Sequence, residues 1–290
     1  MTADTISAAI PGTVQFDLAS KAGGEPHRIY LYTPPGEPPA GGWPVLYLLD
    51  GNAVIATAVE VLRAQAPYTL GTGIHFGVVV AIGYPTDEAY DGVRRSWDLG
   101  PPPGKAYPPF TEDGPPVRTG GADEFFAFIE DELKPEIARR VPVNAGRQTI
   151  FGHSFGGLFA LHALFRKPDA FSAWVSASPA IWWEGGGIVT RADEFVAKGN
   201  GGGGRMLLLV GEYEQTLAPF QIGAEDEAKR LAAFEDSRIV DYTREMAERL
   251  APVPGLETSY VFLPGETHMW VLPACINHAV RFAFGAVHAK

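Results

Sequence analysis

Five consecutive residues, Gly152-His153-Ser154-Phe155-Gly156, place a serine between two glycines at a spacing typical of nucleophilic serines. A short strand candidate, residues 149–151, precedes them, and a helical pattern over about 155–167 follows. A serine on a sharp strand-to-helix turn needs small neighbours, because the two backbones approach each other closely there. The pattern predicts that Ser154 is a nucleophile; a glycine-rich turn with an N-cap serine is the simpler alternative.

A nucleophilic serine needs a general base, which is usually a histidine. Four histidines follow the serine. His162 falls within the predicted elbow helix and should not reach back, and His278 and His288 fall in or beyond the last helical pattern. His268 lies in a loop directly after a predicted strand, residues 259–263. We therefore predict that His268 is the general base, with a solvated loop histidine as the alternative.

The base needs a carboxylate that orients it. Where the chain order is serine, acid, histidine, the acid is expected after the preceding strand, residues 206–210, and the sequence there reads Gly211-Glu212-Tyr213-Glu214. Glu214 lies further along the loop and has more freedom to turn toward the base, so it is the preferred acid. Glu212 is the alternative, and either side chain could be an ordinary solvated carboxylate.

An acyl-transfer site also needs backbone N–H groups that stabilise an oxyanion. One is expected from Phe155, the residue after the nucleophile, and one from the loop after the third strand. That loop reads Leu49-Asp50-Gly51-Asn52, so the N–H of Gly51 or Asn52 is the candidate donor. An ordinary Asp-Gly turn is the competing interpretation.

Five segments of the chain together resemble a known family. They are LYLLDGN (46–52), GHSFGGLFALHALF (152–165), SASPAIWW (176–183), GEYE (211–214) and GETHMW (265–270). They look like the esterase D-type branch of the α/β-hydrolases, and most like the siderophore esterases that open the trilactone of enterobactin-like ferric siderophores. Residues 94–99, before a proline-rich stretch, and residues 120–123, before a helix, fit the same group.

The resemblance covers most of the chain from about Gln15 onward. It implies an α/β-hydrolase fold and a serine esterase in which Ser154 is the nucleophile and His268 is the base. The predicted function is a carboxylic-ester hydrolase that acts through an acyl-enzyme on ferric siderophore trilactone esters, with no cofactor and no metal. The alternatives are a general carboxylesterase, a feruloyl or acetyl esterase, and a non-catalytic member of the fold that binds a ligand.

Cationic and aromatic side chains supply candidates for substrate binding. The candidates are Arg94, Arg95, Trp97, Trp182, Trp183 and Trp270. Arginines and flat rings suit an anionic aryl ester such as a ferric tris-catecholate, because cations attract it and rings stack on it. The simpler interpretations are core packing for the tryptophans and ion pairs between the arginines and Asp91 or Asp98.

Strand and helix patterns alternate along the chain and must position these residues. The runs 44–49, 76–82 and 206–210 are apolar on both faces, as central strands of a parallel sheet are. Helical spacing recurs over residues 125–141, where Pro135 should kink or split the helix, and over residues 239–250. The sequence therefore predicts a single α/β domain over residues 1–290, with a central, mostly parallel sheet and helices on both faces.

Two stretches interrupt this alternation. Residues 84–121, here called the cover segment, contain eight prolines and are expected to be a long, site-building loop. Residues 183–205 contain two glycine runs around a short predicted helix near 192–197, and the run 201–204 is expected to be a flexible surface loop.

Composition excludes several classes of protein. The 290 residues carry 23 Lys and Arg against 34 Asp and Glu, a net charge of −11, which argues against nucleic acid and anionic membrane partners. Cys275 is the single cysteine, so neither an intrachain disulfide nor a multi-cysteine zinc site can form. Residues 1–11 lack the features of a secretory signal, so a cytoplasmic location is expected, or a periplasmic one if a signal has been removed.

Overall fold

The structure is a computed structural model that describes residues 8–286. Residues 1–7, on which the expectation about a secretory signal partly depends, and His288 lie outside the described residues.

The strands are β1 Thr13–Leu18, β2 His27–Tyr32, β3 Trp43–Leu49, β4 Val78–Gly83, β5 Ala106–Tyr107, β6 Val117–Arg118, β7 Val143–His153, β8 Ala173–Ala177, β9 Gly204–Tyr213 and β10 Leu256–Thr267. The helices are α1 Gly51–Gln65, α2 Thr69–Thr72, α3 Gly92–Leu99, α4 Ala122–Phe128, α5 Lys134–Arg140, α6 Phe155–Arg166, α7 Trp183–Lys198, α8 Glu227–Ser237, α9 Ile239–Leu250 and α10 Val271–Phe284.

The main sheet has helices on both of its faces. Its eight strands lie in the order β1-β2-β4-β3-β7-β8-β9-β10, and all pairs are parallel except β1–β2 and β2–β4. Every residue of β3 is buried, because Tyr47 and Leu49 pack into one apolar core while Leu46 and Leu48 pack into the other. Helices α1 and α10 cover the second core, and α4, α6, α7 and α9 contribute to the first. The predicted architecture is confirmed.

The parallel strands bring distant parts of the chain to one edge of the sheet. Strands β3, β7, β8, β9 and β10 run in the same direction, so the residues that follow them share that edge. Those residues are Asp50, Ser154, Ser178, Glu214 and His268. The carboxyl edge of a parallel sheet is where such folds build their sites.

The helix that contains Pro135, which was expected to kink or split, is continuous but changes its hydrogen-bond pattern just before the proline. A π turn, Ile129–Leu133, follows α4, and α5 begins at Lys134. The backbone stays helical through Leu133 and Lys134, so the π turn is the local adjustment that accommodates Pro135, which lacks an N–H.

Several local predictions need correction. The predicted short helix near residues 192–197 is the longer α7, whose residues Glu184, Gly185 and Gly186 have left-handed backbones that interrupt it. The cover segment is less irregular than expected, because it contains α3 and the hairpin of β5 and β6.

The glycine run 201–204 was expected to be a flexible surface loop; it is a surface turn in which Gly202 and Gly203 are exposed, but its first two glycines pack against other segments. A side-chain carbon on Gly201 would lie 2.5 Å from Leu256, and one on Gly202 would lie 2.5 Å from the carbonyl oxygen of Pro168. Gly201 and Gly202 are needed because other parts of the chain approach them too closely for side chains, whereas Gly203 has no atom within 4 Å of where its side-chain carbon would lie.

No helix within residues 8–286 is both long enough and apolar enough to cross a bilayer. Cys275 is buried within α10, as its interpretation as a small apolar residue predicts, and burial raises the pKa of its thiol.

Candidate active site

Ser154 lies on a strained turn between β7 and α6. Its φ is 58° and its ψ is −114°, in a region that non-glycine residues seldom adopt. A side-chain carbon on Gly152 would lie 2.0 Å from the carbonyl oxygen of Gly156. Gly152 therefore lets the strand and the helix approach each other, which is the steric role predicted for it, whereas a side-chain carbon on Gly156 would make only ordinary contacts.

His268 connects the serine to a buried carboxylate. The Ser154 hydroxyl donates to His268 Nε2 at 3.1 Å, and His268 Nδ1 donates to Glu214 Oε2 at 2.5 Å. An ionised carboxylate only accepts hydrogen bonds, so the proton belongs on Nδ1 and Nε2 keeps its lone pair for the serine proton. Glu214 is 1% exposed. This arrangement can perform nucleophilic catalysis with a general base and an orienting acid.

The two candidate glutamates have different partners. Glu214 contacts His268, and its other oxygen, Oε1, accepts from the hydroxyl of Ser178 and from the N–H of Gly211, both at 2.6 Å. Glu212 Oε2 accepts from the N–H of Gly265 at 2.7 Å, in the loop that leads to the histidine. The structure therefore brings Glu214 to His268, whereas Glu212 contacts the neighbouring loop.

The loop after β3 lies against the start of α6. A side-chain carbon on Gly156 would lie 3.5 Å from Leu49 and 3.7 Å from Asp50 Oδ2. Gly51 begins α1 and Phe155 begins α6, so two helix N-termini with N–H groups that lack helical partners lie side by side. Such groups can stabilise an oxyanion.

The side chain of Asn52 fixes the start of the cover segment. Its Nδ2 donates to the carbonyl oxygens of Tyr84 and Thr86 at 3.0 and 2.9 Å, and its Oδ1 accepts from the N–H of Tyr84 at 2.9 Å. This leaves its backbone N–H, in the first turn of α1, as the part that could meet a substrate oxygen.

Arg95 is paired with an acidic residue in the loop after β3. Its Nε and Nη2 donate to the two carboxylate oxygens of Asp50, both at 2.8 Å. Both side chains are largely buried, and the guanidinium lies 5.6 Å from the ring centre of Phe155. The ion pairs considered from the sequence, with Asp91 or Asp98, are wrong for this arginine, because Asp50 reaches it from another element.

We expect Arg95→Met to lower the free energy of unfolding by about 3 kcal/mol, because it leaves the buried Asp50 carboxylate without its partner. Urea denaturation of the purified protein measures this change. The control is the double variant Asp50→Asn/Arg95→Met, in which no buried charge remains and asparagine suits the left-handed φ of 55°. The double variant should recover most of the loss; if it is instead as unstable as the two single changes combined, the expectation is wrong.

Arg94 and Trp97 extend from the same helix toward a different region. Arg94 donates to the carbonyl oxygens of Glu25 and Pro26, both at 2.9 Å. Trp97 lies beneath the guanidinium of Arg118, 4.8 Å from the ring centre. Arg94, Trp97 and Arg118 line a side cavity of about 340 Å³ whose lining does not include Ser154 or His268. The structure therefore does not bring Arg94 and Trp97 to the nucleophile.

Trp183 lies beside Phe155, the residue that follows Ser154. Its ring is edge-on to that of Phe155 at 4.6 Å, and it also contacts Tyr107 of the cover segment at 4.9 Å and Trp182 at 5.5 Å. Tyr107 and Thr119 both donate to Glu184 Oε1, which fastens the cover segment to the start of α7. The cover segment therefore contacts the site through this aromatic cluster as well as through Arg95.

Trp270 forms an exposed aromatic pair with a residue that the sequence did not single out. Its ring lies 5.0 Å from that of Phe220, and the two side chains are 54% and 61% exposed. Phe220 follows Glu214 along the chain and Trp270 follows His268, so both rings extend from loops that carry the site. The signal that could have found Phe220 was its position after the candidate acid.

The ring of His153 packs against the ring of His268. The two ring centres are 4.6 Å apart. Burial, and then the nearby His268, hold the pKa of His153 well below its usual value, so its imidazole is neutral at neutral pH. A neutral neighbour does not oppose the positive charge that His268 gains when it accepts a proton. Among the described residues, no three His, Cys, Asp or Glu side chains gather in a way that could hold a metal ion.

Comparison with known proteins identifies relatives along most of the chain. A family model described as "Putative esterase" matches residues 20–247. The ferri-bacillibactin esterase BesA of Bacillus subtilis is 38% identical over 279 residues, which cover 94% of this chain and 90% of that protein. The siderophore enterobactin esterase of Emericella nidulans is 46% identical over 159 residues, which cover 52% of this chain and 51% of that protein.

A solved structure shares the whole fold. The siderophore hydrolase EstB from Aspergillus nidulans superimposes with a TM-score of 0.85 at 29% identity, over 99% of this chain and 100% of that chain. The predicted α/β-hydrolase fold is thereby confirmed. The chain belongs to this esterase family and is an esterase with the α/β-hydrolase fold.

Proposed function

We propose that the chain is a serine esterase that hydrolyses siderophore trilactone esters, with Ser154 as nucleophile, His268 as general base and Glu214 as orienting acid. The observation that carries the catalytic part is the chain of hydrogen bonds from the serine through the imidazole to a buried carboxylate. Neither a cofactor nor a metal is needed for this chemistry.

In the first half of the reaction, Ser154 Oγ attacks the ester carbonyl carbon while His268 Nε2 takes the hydroxyl proton. The carbonyl oxygen becomes an oxyanion that the N–H groups of Phe155 and of Gly51 or Asn52 stabilise. The tetrahedral intermediate then expels the alcohol oxygen, which receives the proton from His268. An acyl-enzyme remains.

In the second half, His268 takes a proton from water as the water oxygen attacks the acyl carbon. Breaking the bond to Ser154 Oγ releases the acid, and the proton returns to the serine. Glu214 keeps its charge throughout and stabilises the imidazolium that forms in each half.

The names of the relatives support siderophore esters as the substrate class, since two of them are called esterases of ferri-bacillibactin and enterobactin. The rings of Trp183, Trp270 and Phe220 suit aryl groups of such an ester. Arg95 is neutralised by Asp50, and Arg94 is occupied by backbone carbonyls. The geometry therefore favours recognition of the ester by these aromatic rings rather than by Arg94 and Arg95.

Product analysis tests the substrate class. We expect ferric enterobactin to yield linear fragments that chromatography with mass detection identifies, and p-nitrophenyl acetate to be cleaved at the same serine. The iron-free siderophore and a feruloyl sugar, assayed at equal concentration, serve as comparisons. If the plain aryl ester is cleaved while neither siderophore form gives linear fragments, the general carboxylesterase replaces this proposal, and faster turnover of the feruloyl sugar favours a feruloyl esterase.

The cytoplasmic location expected from residues 1–11 stays a prediction. Fractionation of cells that express the native gene tests it.

A further inference from the structure

The turn that follows β8 contacts both the nucleophile and the acid. The N–H of Ser154 donates to the carbonyl oxygen of Ala177 at 2.9 Å, and the N–H of Ala180 donates to that of Ser154 at 3.1 Å. Between them, the hydroxyl of Ser178 donates to Glu214 Oε1 at 2.6 Å. Three residues of the stretch 177–180 therefore contact two candidate site residues, which follow different strands.

The Glu214 carboxylate is held at both of its oxygens. Oε1 accepts from the Ser178 hydroxyl and the Gly211 N–H, and Oε2 accepts from His268. Rotation of the carboxylate would break all three bonds in a place that water does not reach, because the Glu214 side chain has no exposed surface. Two donors on Oε1 therefore fix which oxygen faces the imidazole.

Ser178 makes this contact from an unfavourable backbone conformation. Its φ is 44°, in the left-handed region, and the residue is completely buried. Its N–H donates to the carbonyl oxygen of Leu209 at 2.7 Å, which anchors the turn to β9. Glycine would adopt this conformation without strain, but glycine has no hydroxyl to offer the carboxylate.

We infer that Ser178 is a positioning residue for ester hydrolysis: its hydroxyl holds the Glu214 carboxylate toward His268 while the imidazole takes the proton of Ser154. The inference rests on the proposed triad. Ser178 acts through the acid, since its hydroxyl is buried against Glu214.

Two variants separate the hydroxyl from the backbone strain. Ser178→Ala removes the hydroxyl and keeps the strain, whereas Ser178→Gly removes both. We expect kcat for p-nitrophenyl acetate to fall about 10-fold in each, because a hydrogen bond to a buried charge is lost in each. KM should not change. Counting active enzyme with a fluorophosphonate probe removes any effect of misfolded protein.

The pH profile gives a readout that a merely structural role would not move. The acidic limb of kcat/KM should shift to higher pH in both variants, because a carboxylate with one donor fewer holds the proton on His268 more strongly. The matched control is Ser176→Ala. Ser176 is also completely buried near the end of β8, but its hydroxyl donates to the carbonyl oxygen of Gly157. This control should keep the kcat per active site and the pH profile of the unmodified enzyme.

Three results would overturn the inference. The first is a Ser178→Gly variant with unmodified kcat and pH profile, which would assign the role to backbone strain. The second is an equal change in Ser176→Ala, which would make the effect unspecific. The third is an unshifted or down-shifted acidic limb in both Ser178 variants. Full activity of Glu214→Gln would instead remove the proposed triad itself, so the two failures are distinguishable.

Discussion

Replacing Ser154 with alanine is expected to lower kcat for p-nitrophenyl acetate by about 10⁴-fold or more, because the change removes the atom that forms the acyl-enzyme. Removing a triad nucleophile costs this much because the base and the acid act only through it. Initial rates at saturating ester concentration measure the effect. The residual rate should come from oxyanion stabilisation and ester binding alone.

Labelling and a second serine variant make this result specific. A fluorophosphonate probe should label the unmodified enzyme and fail to label Ser154→Ala, while circular dichroism should be the same for both. Ser259→Ala is the matched control, because Ser259 is an exposed serine in β10 with no role in the site. Turnover by Ser154→Ala at the unmodified rate would contradict the proposed mechanism and would favour a different nucleophile.

The two glutamates allow an equally direct comparison. Glu214→Gln should lower kcat by about 10³-fold, because a neutral amide neither stabilises the imidazolium nor enforces the tautomer with its proton on Nδ1. Glu212→Gln should change kcat by less than about 3-fold, since its amide oxygen can still accept from the N–H of Gly265. Steady-state rates of the two variants, which differ in position by two residues and carry the same chemical change, measure the difference.

An equal loss in both variants would contradict the assignment of Glu214. A large loss in Glu212→Gln alone would make Glu212 the acid. Thermal unfolding of the two variants should be compared as well. This comparison separates an effect of each change on catalysis from an effect on stability.

The elbow could be predicted from sequence because its constraints are local. Gly152 is required because the strand and the helix that directly follows it approach closely, so the pattern and its cause lie within a few residues. The buried runs of β3, β4 and β9 were also recognisable, since strands covered on both faces are apolar throughout.

The choice between the glutamates depended on a feature that the sequence does not display. Strand β10 pairs with β9 with a break in register between Leu263 and Thr267. Chain looped out at this break lets Gly265 meet Glu212 while His268 meets Glu214. The sequence analysis preferred Glu214 because this residue lies further along the loop. That preference agrees with the observed contact, but the register break that produces the contact was not predicted.

The substrate-binding candidates on α3 show why adjacent residues can mislead. Arg94 and Arg95 were treated as a pair on a loop, but consecutive residues on a helix point about 100° apart. Arg94 therefore reaches the carbonyl oxygens before β2, and Arg95 reaches Asp50. Segments that are distant in the sequence therefore determine which partner each arginine contacts. Distant segments likewise determine the packing around Gly201 and Gly202.

The edge-on contact between Trp183 and Phe155 has a practical use. The fluorescence intensity and emission wavelength of an indole ring depend on its immediate surroundings. The ring of Trp183 lies 4.6 Å from that of Phe155, the residue that follows Ser154. A group attached to Ser154 would change those surroundings. We therefore expect the fluorescence of Trp183 to change when the proposed acyl-enzyme forms, and stopped-flow fluorescence could follow this change without any added label.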